Sequence, residues 1–200
     1  MKKASAIILA GGKNTRMGRN KAFIQLSSGE TILQNTISIL KRLFPEIIIV
    51  TNQKETYQEF NASVVEDLIK EAGPLGGIFT GLCYSTSRFN FVVACDMPFI
   101  QISLIELLLA ECGTFDVVLP EVDVEVEPLF ALYSKSCIPV MFEQLQKRNL
   151  KIREVLSKLQ VKKIGREEID RVDPKHLSFF NINAEEDLRR AKGLKQSQKK

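Results

Sequence analysis

The sequence predicts an α/β protein of three layers, α/β/α, with a mostly parallel sheet covered by helices on both faces. Three observations predict it. Short β-prone runs such as residues 5–10 and 91–95 are apolar without polar alternation, the pattern of strands buried on both faces. Stretches with helical apolar spacing lie between these runs, and the loops joining the two kinds are short, as in repeated β-α-β units. The chain has 200 residues, enough for one domain with a substantial core.

The elements follow in order. Residues 5–10 form the opening strand. Ile32, Leu33, Ile37, Leu40 and Leu43 make the apolar stripe of a helix over 31–43. A strand at 47–50, a short helix carrying Tyr57 and Phe60, and a short strand at 63–65 come next. The glycine-rich segment at 73–77 opens a helix reaching Tyr84, and 91–95 is a second buried strand. A leucine-rich helix spans 103–112, with Ser103 as its expected cap. A strand at 115–119 leads into 122–127, where valines and acids alternate with period two. A strand at 128–133, helices near 135–146 and 150–159, short strands at 161–164 and 179–183, and a helix over 184–192 complete the chain. One domain is expected over residues 1–192, with a basic tail over 193–200 expected to be disordered.

Composition removes several function classes. The chain carries 28 Lys and Arg against 24 Asp and Glu, and Lys192, Lys195, Lys199 and Lys200 account for the difference. The body is therefore neutral, which argues against a nucleic-acid-binding domain. The cysteines Cys83, Cys95, Cys112 and Cys137 make no C-x-x-C pair, and His176 is the single histidine, so a structural zinc site is not expected. Cys83 and Cys95 lie in apolar runs and read as core residues; His176 reads as a surface residue. No apolar stretch reaches the ~18 residues of a membrane span. The cytoplasm is the expected compartment.

In open α/β sheets ligands sit beyond the carboxyl ends of the strands, and two such loops stand out. After the first strand runs Leu9-Ala10-Gly11-Gly12-Lys13-Asn14-Thr15-Arg16-Met17-Gly18-Arg19-Asn20-Lys21. Gly11 and Gly12 permit close backbone approach, their amides can face anionic oxygens, and four cations lie between Lys13 and Lys21. The combination suits a triphosphate, though composition alone also allows a solvated basic loop. Its spacing is neither that of a P-loop nor that of a G-x-G-x-x-G dinucleotide fingerprint. The second loop begins at Asp96, which follows Cys95 at a strand exit and is placed to hold Mg²⁺ together with substrate phosphates, or simply to make a turn. Asp67 also follows a strand. Gly73-Pro74-Leu75-Gly76-Gly77 starts a helix, where the amides of Gly76 and Gly77 can meet a base or a phosphate, or form a structural turn.

Taken together, Leu9-Ala10-Gly11-Gly12, Arg16-Met17-Gly18, Lys21, Asp67, Gly73-Pro74-Leu75-Gly76-Gly77, Cys95-Asp96-Met97-Pro98 and Phe180-Asn181-Ile182-Asn183 resemble the molybdenum cofactor guanylyltransferase (MobA) family. These are small nucleotidyltransferases with a Rossmann-like sheet of the nucleotide-diphospho-sugar transferase type. The resemblance spans residues 5–192. It implies transfer of GMP from GTP to the terminal phosphate of molybdopterin (Mo-molybdopterin), with release of pyrophosphate, using Mg²⁺. By the same resemblance Leu9, Ala10 and Gly11 line the GTP site, and Lys21 grips the phosphates with Arg16 nearby. Asn52 and Asp67 hold the nucleoside, Asp96 binds Mg²⁺, and Asn181 and Asn183 lie towards molybdopterin. Molybdoenzymes or their chaperones are the implied recipients of the product. Where that family often has a basic or histidine-containing stretch before the later Pro-Leu, this chain has Glu121, Asp123, Glu125 and Glu127. Two alternatives share the same residues: a cytidylyltransferase acting on molybdopterin or another small phosphate, and a nucleotide-binding regulator without catalysis.

Overall fold

The computed structural model describes residues 4–11, 21–26 and 29–197. Eight strands among these residues form one sheet, in the order β3-β2-β1-β4-β7-β5-β6, with β8 also paired to β5. The strands are β1 (Ala4–Leu9), β2 (Ile47–Val50), β3 (Ser63–Val65), β4 (Phe89–Ala94), β5 (Val117–Val122), β6 (Glu125–Val126), β7 (Phe130–Ser134) and β8 (Val161–Ile164). β1, β2, β3 and β4 are parallel neighbours, and β5 is parallel to β8. β7 runs antiparallel between β4 and β5, and β6 is antiparallel to β5.

The helices are α1 (Ile32–Leu40), α2 (Lys54–Tyr57), α3 (Gly73–Tyr84), α4 (Ile102–Ala110), α5 (Ile138–Gln146), α6 (Ile152–Leu156), α7 (Arg166–Asp170) and α8 (Glu185–Ser197). Alternate residues of each central strand face opposite sides, which builds two cores. On one side Ala6, Ile8, Ile47, Ile49, Phe91, Val93, Phe130 and Leu132 meet Leu33, Ile37 and Leu40 of α1 and Leu104, Ile105 and Leu108 of α4. On the other, Ile7, Leu9, Ile48, Val50, Val92 and Tyr133 meet Leu75, Ile78 and Leu82 of α3 and Met141 and Leu145 of α5. This is the layered α/β/α arrangement predicted from the unalternating strands. α3 lies so close to β1 that a Cβ at Gly81 would come within 2.5 Å of Ile7 Cγ2. A third, smaller core joins Ile24, Leu26 and Ile32 to Phe99, Ile182, Leu188 and Ala191, and so docks α8 on the segment that follows Lys21.

Several local expectations are corrected. α1 stops at Leu40; its start is fixed by a capping box between Thr31 and Gln34. Ser103 is not a cap: α4 begins after Gln101, and Ser103 Oγ donates to Val172 O at 3.3 Å. The alternating stretch 122–127 is not one strand. Asp123 and Val124 have positive φ (49° and 70°) and form a two-residue hairpin turn between β5 and β6, which leaves Val124 90 % exposed at the tip. Residues 179–183 form no strand. A 3-10 turn over Leu177–Phe179 is followed by an extended segment that bonds to the Asp96 loop rather than to a sheet edge. α7 was not expected, and α8 continues to Ser197. Cys83 is exposed, on the outer side of α3. His176 is half-buried rather than on the surface, with Nε2 2.6 Å from Asp170 Oδ1.

Candidate active site

Strand register gathers the candidate residues. Leu9 pairs with both Val50 and Ala94, and Val50 with Val65, so the parallel strands β1, β2, β3 and β4 end at one level. The residues just beyond those ends, Ala10 and Gly11, Asn52, Asp67 and Asp96, therefore share one edge of the sheet, the edge where open α/β sheets take ligands. β7 is antiparallel, so its beginning reaches the same edge: Val93 pairs with Phe130, and Ala94 N donates to Leu129 O at 3.1 Å.

One half of the edge is built around Asp67. Asn52 Nδ2 donates to Asp67 Oδ2 at 2.7 Å. Asp67 Oδ1 is buried and has no hydrogen-bond partner among the described residues. Burial pushes the carboxyl above its ordinary range, against the opposing pull of the Asn52 hydrogen bond. A buried carboxyl with its pKa perturbed at a strand exit is a functional-site candidate. The loop is anchored by Leu68 N, which donates to Thr80 Oγ1 at 3.0 Å.

Gly77 explains why α3 can approach: a Cβ there would lie 3.0 Å from Leu9 Cδ2 and 3.8 Å from Asp67 Oδ1. At Gly76 it would lie 2.5 Å from Ala72 Cβ. Gly76 gives its amide to Ala72 O at 3.2 Å, and both glycines are buried. The missing side chain at Gly77 lets the start of α3 close on Leu9 and Asp67, and that at Gly76 leaves room for Ala72 and Ile69 O. Leu9 and Ala10 are buried, Ala10 N donates to Val50 O at 2.9 Å, and Tyr57 OH donates to Ala10 O at 3.3 Å. Gly11 is exposed, and among the described residues nothing lies within 4 Å of where its Cβ would be. Gly12 and Arg16 lie outside the described residues.

The other half centres on Lys21, at the head of a 3-10 turn over Lys21–Phe23. Lys21 Nζ lies 3.0 Å from Asp96 Oδ2 and 2.8 Å from Asn183 Oδ1, and the Lys21 and Asp96 side chains are each 21 % exposed. Ile182 N donates to Asp96 O at 3.0 Å, which fixes the extended 180–183 segment against the Asp96 loop. Asp187 Oδ2 accepts from Asn183 N and Ala184 N at 2.8 Å each and so ties the same segment to the start of α8. The Asn181 amide is turned back to Phe179 O at 3.2 Å. Sequence reasoning missed the supports Tyr57, Thr80 and Asp187. Only Asp187 left a local signal, an acid four residues after Asn183 at a helix start.

The acidic stretch resolves into two kinds of residue. Lys163 of β8 donates to Glu121 at 2.7 Å, and Arg166 of α7 makes a two-pronged ion pair with Asp123. Glu127 is half-buried, and its carboxyl is pushed up first by burial and then by Glu125. Its place just before Leu129 puts it at the same sheet edge as Asp96.

As a whole the edge offers a corner formed by Asn52, Asp67 and Leu9, and on the same edge a cation and a carboxylate in contact. Asp96 is a hard oxygen donor, and among the described residues no cluster of three or more His, Cys, Asp or Glu side chains forms a closed metal cage. A single carboxylate fits Mg²⁺, which typically takes one or two carboxylates and completes its shell with water and substrate phosphates. No helix of the described residues is long and apolar enough to cross a membrane.

Comparison with known proteins gives the family. Residues 6–163 match the model of the MobA-like NTP transferase domain. A probable molybdenum cofactor guanylyltransferase from Pelotomaculum thermopropionicum is 34% identical over 192 residues, covering 96% of this chain and 93% of the relative. A molybdenum cofactor guanylyltransferase from Desulfosudis oleivorans is 36% identical over 193 residues, covering 96% and 95%. The crystal structure of molybdopterin-guanine dinucleotide biosynthesis protein A from Archaeoglobus fulgidus superposes with a TM-score of 0.85 at 26% identity, covering 96% of this chain and 99% of that one. With sequence and fold in agreement, the chain belongs to the MobA-like NTP transferase family.

Proposed function

We propose that this nucleotidyltransferase transfers GMP from GTP to the terminal phosphate of molybdopterin, releasing pyrophosphate and forming the guanine dinucleotide cofactor. The observation that carries the reading is Lys21 Nζ in contact with Asp96 at the strand exits, beside the Asn52–Asp67 corner. A phosphate oxygen of the acceptor attacks the α-phosphorus, a P–O bond forms there, and the bond to the β-phosphate oxygen breaks. The attacking group is already anionic, so no strong general base is needed. His176, the single histidine, is paired with Asp170 Oδ1 at 2.6 Å. What the step needs is alignment and neutralised charge.

In this reading Leu9, Ala10 and Gly11 line the nucleotide, with Gly76 and Gly77 behind them. Asn52 and Asp67 hold the nucleoside, Lys21 takes the phosphates with Arg16 nearby, and Asn181 and Asn183 border the acceptor. Asp96 would hold Mg²⁺, which supplies charge neutralisation on the departing pyrophosphate. Action in the cytoplasm and delivery to molybdoenzymes or their chaperones follow from the same reading.

The test is pyrophosphate release by the pure protein with Mg²⁺, Mo-molybdopterin and each of GTP, CTP, ATP and UTP. Release with GTP alone is expected. Release with CTP instead would move the base preference, and nucleotide binding without release would leave a regulator. The hairpin supplies a second prediction. Glu121 and Asp123 have cationic partners; Glu125 and Glu127 have none among the described residues, and in this reading they would face the anionic acceptor. The double variant Glu125→Gln, Glu127→Gln is expected to lower the acceptor KM by about 2- to 5-fold, an effect that shrinks as salt is raised. An unchanged KM at low salt removes the hairpin from the acceptor site.

A further inference from the structure

Asn183 belongs to the acceptor side by resemblance, yet its side chain is engaged with the donor side. A lysine ammonium has three donors on a flexible four-carbon stem, and fixing it takes acceptors that are themselves fixed. Among the described residues Lys21 has two: Asp96 Oδ2 at 3.0 Å and Asn183 Oδ1 at 2.8 Å. Asn183 is held from both flanks. Ile182 is fully buried in the small core and donates its N–H to Asp96 O at 3.0 Å. Asn183 N itself bonds Asp187 Oδ2 at 2.8 Å at the start of α8. α8 in turn packs Leu188 and Ala191 against Ile24 and Leu26, only a few residues after Lys21. The C-terminal element therefore grips the lysine segment twice, through the core and through Asn183.

The two acceptors differ in kind. Asp96 neutralises the charge of Lys21, and in the reading above that carboxylate is shared with Mg²⁺. Asn183 is neutral, so it restrains Nζ and leaves the positive charge available to phosphate. We infer that Asn183 is a positioning residue for Lys21, so that affinity for the donor nucleotide depends on the C-terminal segment even when no acceptor is bound. This rests on the proposal that Lys21 takes the nucleotide phosphates.

The experiment is titration of GTP with Mg²⁺ into the full-length protein, without acceptor, for four forms: unaltered, Lys21→Ala, Asn183→Ala and the double variant. Asn183 is exposed, so its alanine variant is expected to fold, and an unchanged thermal midpoint checks this. Asn183→Ala is expected to weaken GTP binding about 5- to 10-fold, the net effect of one ordinary hydrogen bond. In the Lys21→Ala background the same change is expected to add less than about twofold, because a residue acting through Lys21 has nothing left to position. A full additional loss in that background, or an unchanged affinity in Asn183→Ala alone, overturns the inference. Affinity unchanged in Lys21→Ala overturns the underlying assignment of Lys21 as well, and this third result is distinguishable from the other two.

Discussion

Asp96→Asn is expected to lower turnover on the order of 100- to 1,000-fold while the protein stays folded. Asparagine keeps the size of the side chain and an oxygen that can still accept from Lys21 Nζ, now 3.0 Å from Asp96 Oδ2. What it removes is the charge. In the proposed mechanism Mg²⁺ would then lose its protein carboxylate, and the pyrophosphate would leave with less neutralisation. The cost in stability is small, because the Lys21–Asp96 pair is partly exposed and such pairs are typically worth about 1 kcal/mol or less. Steady-state pyrophosphate release, measured beside a thermal melt, separates the two effects. Turnover near that of the unaltered protein would remove Asp96 from the chemistry. Lys21→Ala is expected to fall in the same range, for the opposite charge at the same point.

Phe91→Ala carries the largest expected loss of stability, about 3–5 kcal/mol. Phe91 is fully buried in β4, the strand that leads to Asp96. Its ring stacks on Phe44 at 5.8 Å and meets the edge of Phe130 at 4.9 Å, so truncation opens a cavity between β7 and the segment that follows α1 and removes two ring contacts. For a chain of this length that corresponds to a fall in thermal midpoint of roughly 10 °C. The melt and the activity at low temperature are read together. Activity per folded molecule is expected to persist, since Phe91 lies five residues before Asp96 and faces the core. A drop of only a degree or two would mean that the aromatic cluster is not the centre of that core.

The two results bear on different levels of the molecule, and those levels were not equally legible in the sequence. The parallel part of the sheet was readable because its strands are apolar on both faces and its helices have their own spacing. Those signals are local, and strands β1 to β4 emerge close to where they were expected. Once the strands are placed, the rule for ligand edges selects Ala10, Gly11, Asp67 and Asp96, whereas Asn52 came only with the family resemblance. The hairpin was harder to read. Period two continues through Asp123 and Val124, and nothing in that pattern says that these two residues take positive φ and reverse the chain.

By itself, then, the sequence determined the layered α/β class, the exits of the parallel strands and the charged residues that stand there. Tertiary structure decided the remainder. It inserted β7 antiparallel between β4 and β5, which brings Glu127 to the ligand edge. It set Lys163 and Arg166 against Glu121 and Asp123 and so neutralised half of an acidic stretch. It turned residues expected to form a strand into a segment bonded to Asp96, and it placed Asn183 on Lys21 across 162 positions of chain. The physical reason is common to all of these. Periodicity records which face of an element is buried, whereas contacts between distant segments depend on how whole elements pack, and no local pattern carries that information.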